Sequence, residues 1–177
     1  MRIRDATDED LGAISALYNA TIATSTAAWT EATEDLRDRR SWFASQQAAG
    51  FPTLVADVDG DVVGFTALGD FRDVVKWPGY RFVAELTVHV AEARWGQGVG
   101  RALIDELLIR AHALGKTQIV AAVDGDNEGS LRFHERLGVV EVGRMPSIGF
   151  KFGRWLDLVL LQRPTGPGSM ARGQSSL

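Results

Sequence analysis

Leu86-Thr87-Val88-His89-Val90, then Arg94-Trp95-Gly96-Gln97-Gly98-Val99-Gly100-Arg101, then Ala102-Leu103-Ile104-Asp105-Glu106-Leu107-Leu108-Ile109: this stretch decides the architecture. An apolar strand runs into three glycines at every second position, and these open a helix with apolar residues at helical spacing. Glycines let a backbone turn tightly and approach an anion, and the unpaired N–H groups of a helix's first turn point at it. The pattern reads as a phosphate pocket. A nucleoside-triphosphatase loop needs Gly-Lys-Ser/Thr where Gly100-Arg101-Ala102 stands. A dinucleotide fold places its third glycine later, with an acidic residue about 20 positions beyond. A tight strand-to-helix turn without a ligand is the remaining alternative.

Working outward, Arg2-Ile3-Arg4 alternates like a short strand, and Thr7 caps a helix carrying Leu11, Ile14, Leu17, Tyr18 and Ile22. After a loop from Ala23 to Glu31, Thr33-Glu34-Asp35-Leu36 opens a second helix through Trp42 and Phe43 that stops at Gly50. Thr53–Val58 and Val62–Leu68 flank Asp59-Gly60, a hairpin signal. A loop from Gly69 to Gly79 precedes a strand from Tyr80 to Val90. Beyond the glycine loop come a helix to about His112, a strand Gln118–Val123, a short helix from Asn127 to Leu137, and strands Val139–Gly143 and Trp155–Gln162. The order predicts a mixed α/β sheet with helices on both faces. Residues 1–163 read as one domain; Pro164 to Leu177, rich in Pro, Gly, Ser and Gln, reads as a disordered tail.

With 177 residues, 45% hydrophobic and 24% charged, the chain can bury a sizeable core. A net charge of −4 without a basic run argues against non-specific nucleic-acid binding. No apolar run is long enough for a membrane span, and Met1-Arg2-Ile3-Arg4-Asp5 lacks a signal-peptide core, so the cytoplasm is expected. Without cysteine, neither a thiolate metal site nor a thiol nucleophile is available, and His89, His112 and His134 are not spaced as a ligand pair. No metal is expected; a small-molecule partner is.

The element order and the glycine loop resemble the GNAT superfamily of N-acetyltransferases. Glu85, Asn127, Ser130, His134-Glu135-Arg136-Leu137-Gly138 and Gly149-Phe150-Lys151-Phe152-Gly153-Arg154-Trp155-Leu156-Asp157 narrow the likeness. Together they resemble the phosphinothricin and methionine sulfoximine N-acetyltransferase family, over roughly Ile3 to Arg163. Trp95 departs from the pattern, standing where the superfamily usually carries Gln or Arg. The resemblance implies an acyl-CoA N-acyltransferase fold, with a mixed, mostly antiparallel sheet of about seven strands. It also implies acetyl-CoA as co-substrate, a homodimer, and acetylation of the α-amino group of phosphinothricin, methionine sulfoximine or methionine sulfone. The alternatives are another amine, such as an aminoglycoside, a polyamine or a peptide terminus, and a non-catalytic acyl-CoA-binding module.

Such a transfer needs a held donor, a neutral amine, a stabilised oxyanion and a protonated leaving thiolate. The resemblance places the base at Glu85, for which a solvated strand-edge glutamate is the plain alternative. His134 falls where the superfamily commonly has a tyrosine acid; it either hands a proton to the departing thiolate or packs between Leu131 and Leu137. Val88, His89 and Val90 are expected to pair through their backbone with the pantetheine arm, the Val88 N–H serving the oxyanion. Trp95, Gly96, Gln97, Gly98, Val99, Gly100 and Arg101 would hold the pyrophosphate. Asn127 and Ser130 would contact the sulfur end of the arm or simply cap their helix. For the acceptor's carboxylate the candidates are Arg72, Arg81 and Lys151, the resemblance implying a site near the dimer interface with Lys151 contributed across it, and with Trp29 walling the side-chain slot.

Overall fold

The computed structural model describes residues 1–166. Seven strands form one sheet: β1 (Arg2–Asp5), β2 (Thr53–Val58), β3 (Asp61–Asp70), β4 (Val83–Val90), β5 (Gln118–Asp124), β6 (Val140–Lys151) and β7 (Arg154–Pro164). Their spatial order is β1-β2-β3-β4-β5-β7-β6. All neighbours are antiparallel except β4 and β5. Four helices cover the sheet: α1 (Leu11–Thr24), α2 (Leu36–Ala48), α3 (Val99–Ala113) and α4 (Glu128–Glu135).

Helix starts follow their capping chemistry. Asp35 accepts from the N–H groups of Arg37 and Asp38 at 2.8 and 2.9 Å to begin α2. Asn127 accepts from Ser130 N–H at 3.0 Å to begin α4. The larger core packs α3, through Leu103, Ile104, Leu107 and Leu108, on Ala84, Leu86, Ile119 and Ala121 of the sheet. On the opposite side Leu11, Ile14, Phe43, Val55 and Phe65 form a smaller core beneath α1 and α2.

Three boundaries differ from the sequence reading. The expected strand from Tyr80 begins only at Val83, because Pro78–Tyr80 close a 3-10 turn. The last two strands are longer than expected, since each pairs with the other along most of its length, across register shifts between Glu141 and Gly143 and between Met145 and Gly149. Pro164, expected to open a tail, closes β7, and Thr165 N–H donates to Thr117 O at 3.1 Å; the remainder of that expected tail, from residue 167, lies outside the described residues.

Candidate active site

The one parallel pair is also the one that parts. β4 and β5 pair only at Val83–Gln118, Ala84–Ile119 and Glu85–Val120, leaving a wedge between Leu86–Val90 and Ala121–Asp124. Ala91 N–H donates to Val63 O at 2.9 Å, and β3 and β4 pair in unbroken register from there. Antiparallel alternation therefore turns the N–H and C=O groups of His89, Thr87 and Glu85 toward β3. Those of Leu86, Val88 and Val90 face the wedge. The Leu86 N–H still serves the last rung with β5 and Val90 O accepts from Trp95 Nε1, so the N–H and C=O of Val88, with Leu86 O and Val90 N–H, form the strand edge onto which an extended amide chain can pair.

At the wedge mouth, Gly96 (φ +74°) and Gly98 (φ +82°) adopt the left-handed backbone that their expected turn needs. Gly98 caps α3, whose first-turn N–H groups close the mouth. Three side chains of the loop are engaged with the protein itself. Trp95 Nε1 donates to Val90 O at 2.9 Å, Gln97 to Ala93 O at 2.9 Å and Arg101 to Arg136 O at 2.9 Å. Any anion held here is held chiefly by backbone amides.

Glu85 occupies the last paired rung, where the wedge begins. Its side chain faces α2 across a cavity of about 130 Å³ that is also lined by Trp42, Gln46, Gly69, Asp70 and Thr87. Burial pushes the Glu85 carboxyl above its ordinary range, and the positive charge of Arg72 pulls it part of the way back. A carboxylate with raised affinity for a proton, in the field of a cation, can relieve an ammonium of one.

His134 is buried on α4. Its Nδ1 lies 2.9 Å from Ser130 O, and since a carbonyl only accepts, that nitrogen carries the proton of the neutral ring. Nε2 is buried with no hydrogen-bond partner, and burial lowers the imidazole's affinity for a proton. The neutral ring thus presents a lone pair at Nε2.

One expectation on a backbone changes, and three on side chains. The N–H and C=O of His89 pair with β3 and do not face the wedge, and its ring is structural: Nδ1 lies 3.1 Å from Thr21 Oγ1, and the ring stacks on Phe65 and meets the edge of Tyr18. Burial and the nearby Arg39 charge press it down to a pKa of about 4. Lys151, proposed to bind a carboxylate, is 1% exposed and donates to Ile22 O, Ser25 O and Ala28 O, each at 2.7 Å. All three of its N–H bonds serve to close the end of α1. Trp29 lies against the backbone of Gly149, where any Cβ would collide with the indole, and it does not line the Glu85 cavity. Arg81 donates to Pro78 O at 2.8 Å and covers the Phe82 ring, which leaves Arg72 as the expected cation that acts on Glu85.

Sequence reasoning missed Gln46 and the lining role of Trp42, together with the ion pair between buried Arg39 and half-buried Glu34. Arg39 lies 4.6 Å from the centroids of both Tyr18 and Trp42. Only the placement of α2 over β3 and β4 brings these groups to the site.

The profile of the acetyltransferase (GNAT) family matches residues 14–139. The chain belongs to that family. It is 41% identical over 166 residues to the L-methionine sulfoximine/L-methionine sulfone acetyltransferase of Pseudomonas aeruginosa, covering 93% of this chain and 95% of the relative. A phosphinothricin N-acetyltransferase of Alcaligenes faecalis is 40% identical over 94% of this chain and 83% of its own. Among solved structures, the GNAT superfamily phosphinothricin acetyltransferase of Sinorhizobium meliloti in complex with acetyl-CoA superposes with a TM-score of 0.87. That structure is 32% identical over 97% of this chain and 94% of its own. The protein is a GNAT N-acetyltransferase, and its free β4 edge and glycine turn suit an acyl-CoA: amides for the strand edge, a pyrophosphate for the turn.

Proposed function

We propose that the protein transfers the acetyl group of acetyl-CoA to the α-amino group of a small amino acid analogue of the phosphinothricin, methionine sulfoximine or methionine sulfone type, and so detoxifies it in the cytoplasm. The observation that carries this reading is the position of Glu85 at the rung where the wedge opens, on the same cavity wall as Asp70 and within the field of Arg72. A cavity of about 130 Å³ suits a small acceptor, being well below the volume that drug-sized ligands occupy. The names of the relatives point the same way, and the positive charge of Arg72 favours an anionic acceptor over a polycation.

In this reading Glu85 removes a proton from the α-ammonium, whose pKa is about 8, leaving the lone pair that attacks the thioester carbon. The oxygen that gains charge meets the Val88 N–H, which points into the wedge. The C–S bond then breaks, and the attacking nitrogen sheds its second proton. His134, neutral and with Nε2 free, accepts that proton and returns it to the leaving sulfur, so it acts as a relay and not as a pre-charged acid. Arg72 pairs with the acceptor's carboxylate.

We also read the protein as a homodimer. β6 is the edge of the sheet, and it exposes Val140, Val142, Ile148 and Phe150 beside Trp155 of β7, which is 63% exposed. A long apolar edge of this kind calls for a cover, and a second copy supplies one. Light scattering on a size-exclusion column tests it: a mass of one chain discards this part.

The activity is tested by thiol release from acetyl-CoA with each of the three analogues and with an aminoglycoside and a polyamine as controls. The expected result is release with the analogues alone. If acetyl-CoA binds and none of the three stimulates release, the acceptor assignment is wrong.

A further inference from the structure

Lys116 lies outside the wedge, in the connection between α3 and β5, and is 8% exposed. Its ammonium donates to Asp70 Oδ1 at 3.1 Å and to Arg81 O at 2.9 Å, and it stands 5.1 Å from the centre of the Phe51 ring. Asp70 is the last residue of β3, and Arg81 stands two residues before β4 begins. One buried cation therefore joins the two ends of the segment from Phe71 to Phe82. The next residue adds a second tie, since Thr117 N–H donates to Phe82 O at 2.8 Å.

The segment between those ends is mostly exposed, with Val75 at 93% and Trp77 at 54%. Within it, Phe71 meets Tyr80 edge-on with ring centres 6.0 Å apart, and Asp73 accepts from the N–H groups of Val75 and Lys76. It packs little against the core. Arg72 is its second residue, next to the end that Lys116 grips through Asp70.

We propose that Lys116 is a positioning residue for the acceptor: by bridging Asp70 and Arg81 it fixes the ends of the Phe71–Phe82 segment and so holds Arg72 over Glu85. The inference rests on the reading of Glu85 and Arg72 given above and names the part of the protein that keeps them together. Two effects of losing Lys116 add. Arg72 is freed from its place, and the Asp70 carboxylate, which lines the Glu85 cavity, loses its counter-charge. The charged or titratable groups around Glu85 are Asp70 from β3 and Arg72 from the segment, with His89 further along its own strand. α2 contributes Trp42 and Gln46 to the lining, and its Arg39 is paired with Glu34; the facing rung of β5 is Val120. Both effects favour the protonated form of Glu85, so both move the acid limb of the rate profile to higher pH.

The test compares Lys116→Met and Asp70→Asn with the wild-type protein, using acetyl-CoA and methionine sulfone. In Lys116→Met the KM for methionine sulfone is expected to rise on the order of tenfold while kcat changes by less than about threefold. The acid limb of kcat/KM should shift upward, and amide hydrogen exchange across residues 71–82 should speed up by roughly tenfold. Coenzyme A affinity, measured by calorimetry, should stay within about twofold, which also reports a folded protein. Asp70→Asn keeps the bond to Arg81 O and should give a smaller exchange effect; it carries the test if Lys116→Met does not fold. The proposal is overturned if exchange and acid limb keep their wild-type values in both variants, or if the methionine sulfone KM and the coenzyme A affinity weaken by the same factor. Normal turnover by Glu85→Gln would instead sink the reading of Glu85 as base, while the exchange data would still report on the Lys116 bridge.

Discussion

Ala84, Leu86, Val88 and Val90 turn their side chains to the α3 core, whereas Glu85, Thr87 and His89 face α1 and α2 across the same strand. The α3 side is apolar packing that leaves the wedge-facing backbone groups of β4 to do the binding. Its chemistry needs only an unpaired strand edge and a glycine turn. The α1/α2 side sets, beside its smaller apolar core, charged and polar groups from separate elements, namely Glu85, Asp70, Arg72, Gln46 and the Glu34–Arg39 pair. The donor side can be built from a local pattern, while the acceptor side exists only once four segments have met.

The two buried histidines make the same contrast within one residue type. His89 has its Nδ1 opposite the Thr21 hydroxyl and its ring between aromatic neighbours. His134 keeps a buried, unpartnered Nε2. A buried acceptor without a partner costs about 1–3 kcal/mol, which a bound ligand or proton can relieve, and the relay role proposed for His134 rests on this nitrogen.

The largest effect expected is on the acceptor side. Glu85→Gln keeps the shape of the cavity but removes the base, and kcat/KM for methionine sulfone should fall by roughly 10²-fold or more, with coenzyme A affinity unchanged by calorimetry. A variant of full activity would break the division of labour drawn here. Next is the pH dependence of stability set by His89. Its pKa in the fold is about 4 against 6.5 when unfolded, so burial favours the neutral ring. The stability this contributes is complete above the unfolded value and is lost as pH falls from about 6.5 to about 4, amounting to about 3 kcal/mol. Urea unfolding of wild type and His89→Phe at several pH values measures it: the difference between them should shrink or change sign across that window.

Gly149→Ala drives a methyl into the Trp29 ring and should cost about 1–3 kcal/mol by thermal or urea unfolding. Smallest is His134→Leu, which removes the orphaned nitrogen. Turnover should drop by about tenfold while the midpoint of thermal unfolding stays level or rises. A marked loss of stability in that variant would place His134 with His89 as a structural residue.

Much of the architecture was legible before any coordinates, because helix and strand periods, caps and the Asp59-Gly60 turn are short-range signals. The stretch proposed to hold the donor was legible as architecture for the same reason: its strand, three glycines and helix are contiguous in the chain. The acceptor side was read less well, and each miss has a cause. Lys151 reads as a free cation until the end of α1 supplies three carbonyls for it. Trp29 reads as a pocket wall until β6 brings Gly149 beneath its ring. Trp42 and Gln46 carry no local mark of a site, because α2 reaches β3 and β4 only through packing.

The chain's local order was enough to settle the succession of elements, the glycine turn at the head of α3 and the place of Glu85 on the strand before it, since each depends on neighbours a few residues away. The three-rung pairing of β4 and β5, the lone pair left at His134 Nε2 and the Lys116 bridge came only with the assembled fold. They depend on distances between residues far apart in the chain, and burial and charge act through those distances.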